Sequence, residues 1–167
     1  MIVVRGETEA DREAIFDLTR SAFADQAFSS HTEQFIIEQL RRAEALSISL
    51  VAQKERIVAG HIAFSPVAVS DGSSDWYGLG PLSVLPAFQG AGIGTILVNA
   101  GINTLKARGA RGCVVLGEPG YYARFGFRKA PGLVLDEVAP EYFMALSLGL
   151  ETPAGSVVYH AAFSARE

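Results

Sequence analysis

Apolar positions change period several times along the chain, and each change marks an element. Ile2 to Arg5 reads as a short strand. Thr8-Glu9-Ala10-Asp11 resembles a capping box, and Ala14, Ile15, Leu18 and Ala22 follow at helical spacing, which predicts a first helix over 9–23. Ser30-His31-Thr32-Glu33 repeats the capping pattern, and Phe35, Ile36, Ile37 and Leu40 give a second helix its apolar face. Leu46 to Leu50 alternates with period two, the mark of a half-buried strand. After the polar turn Lys54-Glu55-Arg56, a longer strand runs over 57–69, interrupted by Gly60 and Pro66. Ser70 to Asp75 is a loop by composition. Trp76 to Leu85 is the next strand, Gln89 to Gly94 a glycine-rich turn, and 92–108 a third helix. Gly112 to Leu116 is a buried strand, Tyr121 to Phe125 a short helix, and Gly126-Phe127-Arg128 begins another strand. Tyr142 to Leu148 and Val157 to Phe163 read as strands in the tail.

Short turns between the early strands point to hairpins. A helix between two buried strands, Trp76–Leu85 and Gly112–Leu116, reads as a right-handed crossover. The expectation is an α/β chain: a mixed, mostly antiparallel sheet of about six or seven strands with helices on both faces. At 167 residues the chain suits one domain spanning 1–167.

Composition narrows the function classes. Hydrophobic residues make up 49% and charged residues 19%, a globular balance. A net charge of −4 without long basic runs argues against nucleic acid as the partner. Cys113, the lone cysteine, lies in the apolar run Cys113-Val114-Val115-Leu116 and reads as a core residue, with neither a disulfide nor a metal site implied. The N-terminus lacks a signal-peptide pattern and no apolar run approaches a membrane span, so a cytoplasmic protein away from membranes is expected.

The glycine-rich turn carries the most chemistry. Strand, tight turn and helix start present backbone N–H groups and a helix dipole to an anion. A P-loop would need a lysine before Thr95, and there is none. A dinucleotide fingerprint would need a third glycine where Thr95 stands, and the turn would follow the first strand rather than the fourth. Instead, Gln89-Gly90-Ala91-Gly92-Ile93-Gly94 resembles the Gln/Arg-x-x-Gly-x-Gly/Ala signature of the GNAT N-acetyltransferase superfamily. Gly80 to Pro86 is similar to that family's fourth strand, and Tyr121-Tyr122-Ala123-Arg124-Phe125-Gly126-Phe127 to its Tyr-x-x-x-Gly-Phe segment. The element order extends the resemblance over nearly the whole chain, with most likeness to a bacterial subgroup of N-acetyltransferases.

The resemblance implies the acyl-CoA N-acyltransferase fold and acetyl-CoA as co-substrate, without a metal. Gln89, Gly90, Ala91, Gly92, Ile93, Gly94 and Thr95 would hold the pyrophosphate. Gln89 is neutral where many relatives carry arginine, so the grip would be backbone-dominated. Leu82, Ser83 and Val84 would pair with the pantetheine arm. The reaction would be direct attack of a primary amine on the thioester, with Tyr122 as general acid and Tyr121 as an aromatic packing residue. The acceptor would be a small-molecule or peptide amine, and a homodimer stays open.

Acetyl transfer also needs a neutral amine and a stabilised oxyanion. The strand over 76–85 has no carboxylate or histidine to act as base. Glu118, just past a buried strand, is the first candidate, ahead of His61 and His31. The missing base also leaves a second reading: a non-turnover acetyl-CoA or ligand sensor on the same fold. The acceptor walls are expected from the first two helices and the tail, with Phe28, Phe35, Tyr142 and Phe143 as aromatic candidates.

Overall fold

The computed structural model describes every residue except the one at position 150. Six strands form the main sheet: β1 (Ile2–Gly6), β2 (Ile48–Lys54), β3 (Ile57–Pro66), β5 (Trp76–Val84), β6 (Gly112–Leu116) and β8 (Phe143–Ser147), in the order β1-β2-β3-β5-β6-β8. Every neighbouring pair is antiparallel except β5 and β6, which are parallel. Helix α3 (Ile93–Ala107) makes the crossover between those two, as the sequence predicts. A second small sheet has the order β4-β9-β7, built from Ala68–Val69, Gly155–Val158 and Leu133–Val134.

Each helix lies where its apolar stripe finds a sheet face. Ile93, Leu97, Ile102 and Leu105 of α3 pack on Ile62, Phe64 and Val115 in the largest core cluster. The opposite face is covered at its β1–β3 end by α1 (Arg12–Phe23) and α2 (Glu33–Arg42), where Ile15 and Ile37 close over Val51. At its β6–β8 end that face carries Trp76, Val114 and Phe143 under the small sheet. Helices therefore occupy both faces, as the apolar pattern requires.

Several boundaries differ from the sequence reading: β2 lies at 48–54 rather than 46–50, and the short helix at 119–122 rather than 121–125. Pro66, which lacks an N–H, closes β3, and Ala68–Val69 leaves the main sheet to pair with β9. The expected strand at 126–128 is a single bridge between Arg128 and Ala145. The expected strand over 157–163 stops at Val158, because the His160 imidazole accepts the Ala162 N–H at 3.0 Å and starts a 3-10 turn over Ala161–Ser164. The α2 cap is Thr32, whose carbonyl accepts from Phe35 and Ile36 at 2.9 and 3.1 Å, while the Ser29 hydroxyl donates to Glu33 at 2.7 Å. β9 is the central strand of its sheet, pairing with β4 through Val157 and Val158 and with β7 through Gly155 and Ser156.

The first capping pattern holds through Asp11. Its carboxylate accepts the Thr8 N–H at 2.7 Å and both Arg5 nitrogens at 2.7 and 2.9 Å. The Arg5 hydrogen bonds, with those from Thr8, outweigh burial and hold the carboxyl well below its usual range. A depressed carboxylate stabilises the fold above its unfolded pKa and loses that contribution as pH falls below it. Asp11→Asn should therefore lower unfolding free energy by about 1–2 kcal/mol at neutral pH, and the gap should close below about pH 4. Denaturant titrations of both proteins across pH check this.

Candidate active site

β5 cannot stay paired on both sides along its full length. Leu79 faces Phe64 on β3 and Leu82 faces Ile62, so Gly80 and Pro81 lie opposite the single residue Ala63. Such a bulge bends a strand and raises its twist. Gly80 has a φ of 143°, which suits glycine alone. Pairing with β6 ends at Leu79–Val115. Beyond that point β5 keeps β3 but leaves β6, and a gap opens between the carboxyl ends of two parallel strands.

Ladder alternation decides which groups face the gap. The Leu85 N–H donates to Ala59 on β3 at 2.8 Å. By parity Ser83 also turns its backbone to β3, while Leu82 and Val84 turn theirs to the gap. The Ser83 side chain is buried, with no hydrogen-bond partner among the described residues. Two of the three expected rail residues thus present backbone to the opening, and Ser83 does not.

The turn into α3 adds a second set of donors. Gly90 and Gly92 both adopt the left-handed conformation, with φ of 82° and 84°. Gly92 is the helix N-cap, and its carbonyl accepts from Ile96 at 3.1 Å. The amides ahead of Ile96, those of Gly94 and Thr95 included, are first-turn donors with no helical acceptor. Gly94 has a different reason to be glycine: a Cβ there would stand 2.6 Å from the Tyr121 hydroxyl. Ile93 buries its side chain in the core and contributes only backbone. The Gln89 side chain donates to the Val84 carbonyl at 3.1 Å and braces the strand end, and Ala91 is exposed outside the pocket lining.

A cavity of about 450 Å³ lies over this turn, and it holds a cation that the motif does not announce. Arg124 lines it and donates to the Thr95 hydroxyl at 3.1 Å and to the Tyr121 carbonyl at 3.2 Å. Its guanidinium also stacks on the Tyr121 ring, 4.6 Å from the centroid. Arg124 therefore sets a positive charge beside a turn whose own motif carries the neutral Gln89.

A second cavity of about 590 Å³ fills the gap itself, between Leu79–Leu82 and Leu116–Glu118. Tyr121 lines both cavities and forms the wall they share. Tyr122 lines the second, its ring laid on Gly117, where a Cβ would be 2.5 Å from Cε2. Burial, with smaller contributions from Tyr121 and Cys113, pushes its phenol above its usual pKa, so it stays protonated across the physiological range. Glu118 is exposed and lines the same cavity at the N-cap of α4 (Pro119–Tyr122). The far wall of this cavity comes from the first two helices and the tail, through Phe23, Ile36, Leu135, Tyr159 and Phe163. The four aromatics expected there lie elsewhere. Phe28 is fully exposed, Phe35 stacks on Phe16, Tyr142 faces solvent and Phe143 lies under the small sheet. Glu33, which in sequence looked like a capping residue, lines the cavity instead.

The two histidines considered as bases are not in it. His31 is exposed ahead of α2. His61 is fully buried, and its Nε2 shares a 2.7 Å hydrogen bond with Ser49. The Ser49 hydroxyl donates to Glu7, which is paired with Arg41 at 3.0 Å. Burial opposes charge on Glu7, but hydrogen bonds from Arg41 and Ser49 prevail and lower its pKa. Among the described residues, no group of three or more His, Cys, Asp or Glu could hold a metal ion, and no helix is long and apolar enough to cross a membrane.

A bulged fourth main-sheet strand, an opening to its parallel neighbour and a glycine turn at a helix start define a class. The Acetyltransferase (GNAT) family profile matches residues 12–127, and the chain belongs to that family of N-acetyltransferase enzymes. A GNAT family acetyltransferase from Brucella melitensis, solved in complex with acetyl-CoA, is similar at a TM-score of 0.88 and 46% identity, over 98% of this chain and 99% of that one. The Escherichia coli N-acetyltransferase YhbS, solved in complex with CoA, gives a TM-score of 0.89 at 32% identity, over 98% and 92%. In sequence alignment YhbS is 35% identical over 130 residues, 77% of this chain and 75% of that one.

The state of His61 sets a pH dependence. Burial pushes its pKa from 6.5 down to about 4. The unfolded chain therefore binds its proton first, and stability falls by about 1.4 kcal/mol per pH unit as pH drops below about 6.5. His61→Gln should flatten the stability curve between about pH 6.5 and 5, measured by urea unfolding.

Proposed function

We propose that this protein transfers the acetyl group of acetyl-CoA to a primary amine, acting as one domain over 1–167. The observation that carries this reading is the pair of adjoining cavities that share the Tyr121 wall, one over the glycine turn and one in the β5–β6 gap. The first offers first-turn amides and Arg124 to a pyrophosphate. The backbone of Leu82 and the Val84 N–H, turned to the gap, offer strand-like hydrogen bonds to the pantetheine amides. That edge leads the thioester to Tyr122.

In this reading the acceptor nitrogen, once neutral, attacks the thioester carbonyl carbon. The carbonyl π electrons move to oxygen, and a β5 amide facing the gap, that of Leu82, meets the oxyanion. Collapse breaks the C–S bond. Tyr122 gives its proton to the leaving sulfur, and the new amide nitrogen loses one to Glu118, directly or through water. Solvent then resets both groups. The products are the N-acetylated amine and free coenzyme A.

Calorimetry with acetyl-CoA, paired with a thiol-release assay on a panel of amines, tests the proposal. Binding with turnover supports it; tight binding with no thiol release on any amine favours the sensor reading. Tyr122→Phe should lower kcat by about 100-fold and leave the acetyl-CoA Kd nearly unchanged. Glu118→Gln should shift the acidic limb of the pH–rate profile, and an unchanged profile would remove Glu118 from the mechanism. Arg124→Gln should weaken coenzyme A binding about tenfold, with less effect at high salt.

A further inference from the structure

The acceptor cavity has a charge pattern that selects among amines. Its walls are mostly apolar: Phe23, Ile36, Leu82, Leu116, Leu135 and Phe163. Among the described residues, the charged ones lining it are Glu33 and Glu118, with no lysine, arginine or histidine. Glu33 is fixed in place, since the Ser29 hydroxyl reaches both carboxylate oxygens, at 2.7 and 2.8 Å. The nearby cation, Arg124, belongs to the other cavity, on the far side of Tyr121.

We propose that the acceptor is an apolar monoamine: a primary amine on an aromatic or branched aliphatic body, with no carboxylate beside its nitrogen and no second charge. The proposal rests on the acetyltransferase reading and specifies its substrate. The two carboxylates draw an ammonium group to the mouth of the gap. An α-amino acid would bring its own carboxylate into the same space, facing two like charges and no counter-ion, while losing water. A diamine would draw its second ammonium to one of the two carboxylates and leave the apolar wall uncovered, so it gains less from this cavity than an apolar body does. An uncharged body of aromatic size has instead an apolar wall to cover, in a space of about 590 Å³.

The test compares 2-phenylethylamine with phenylalanine, which adds only the carboxylate, and with 1,4-diaminobutane, which replaces the ring by a second amine. Thiol release is measured with acetyl-CoA, and amine binding is measured by calorimetry on the protein loaded with coenzyme A. We expect kcat/KM for 2-phenylethylamine to exceed that for both others by about tenfold or more. Equal or better use of phenylalanine or the diamine overturns the proposal. If no amine turns over but 2-phenylethylamine alone binds, the acceptor class stands and the transferase reading fails. If 2-phenylethylamine neither binds nor reacts, the acceptor class is wrong, whatever else the protein acetylates. Glu33→Gln should raise KM for 2-phenylethylamine several-fold and narrow its lead over phenylalanine. An unchanged ratio in a folded variant removes Glu33 from acceptor selection.

Discussion

Two residues of one strand, Gly80 and Pro81, stand against one residue of its neighbour, Ala63. Most of the site depends on that mismatch. Without it β5 would continue its ladder with β6, and the backbone groups of Leu82 and Val84 would be spent on sheet pairing. With it they face an opening, where the Gln89 side chain already satisfies the Val84 carbonyl. The glycine turn follows within a few residues of the bulge, so the same strand end supplies both an edge for an extended ligand and the lead into an anion-binding helix start.

The site sorts charge across one ring. Arg124 lies on the turn side of Tyr121, and Glu33 and Glu118 lie on the gap side. In the proposed reading an anionic donor and a cationic acceptor are drawn to different cavities, and they meet at the wall between them. The hydroxyl of Tyr121 fits against Gly94, which ties this wall to the first turn of α3. Buried beneath, the chain from His61 through Ser49 to Glu7 and Arg41 satisfies polar groups that the fold encloses, and does not reach the cavity.

Much of this was legible from residue order. Period two and period 3.6 are local signals, and they placed α3, β5 and β6 to within a residue or two. The glycine turn and the Tyr121–Phe127 segment were readable because each needs particular residue types at fixed spacing. What stayed hidden depends on contacts between distant parts of the chain. Arg124 touches Thr95 across 29 positions. Whether Ser83 faces the opening follows from ladder parity, which no one-dimensional pattern records. Phe35 and Phe143 have the composition of a binding wall, but a stack on Phe16 and a cover by the small sheet claim them first. The run 157–163 has strand-like residues, yet one imidazole caps it into a turn.

The Glu7–Arg41 ion pair has a mechanical meaning for α2. Arg41 is in the last turn of the helix and Glu33 in its first. The far end is pinned to the chain just past β1 through Glu7, and the middle is held by Ile36 and Leu40 against the tail. The first turn is tied down as well, through the Ser29 hydroxyl on Glu33. The helix is therefore a strut held at both ends, and its length sets how far from the Glu7 anchor the Glu33 carboxylate stands.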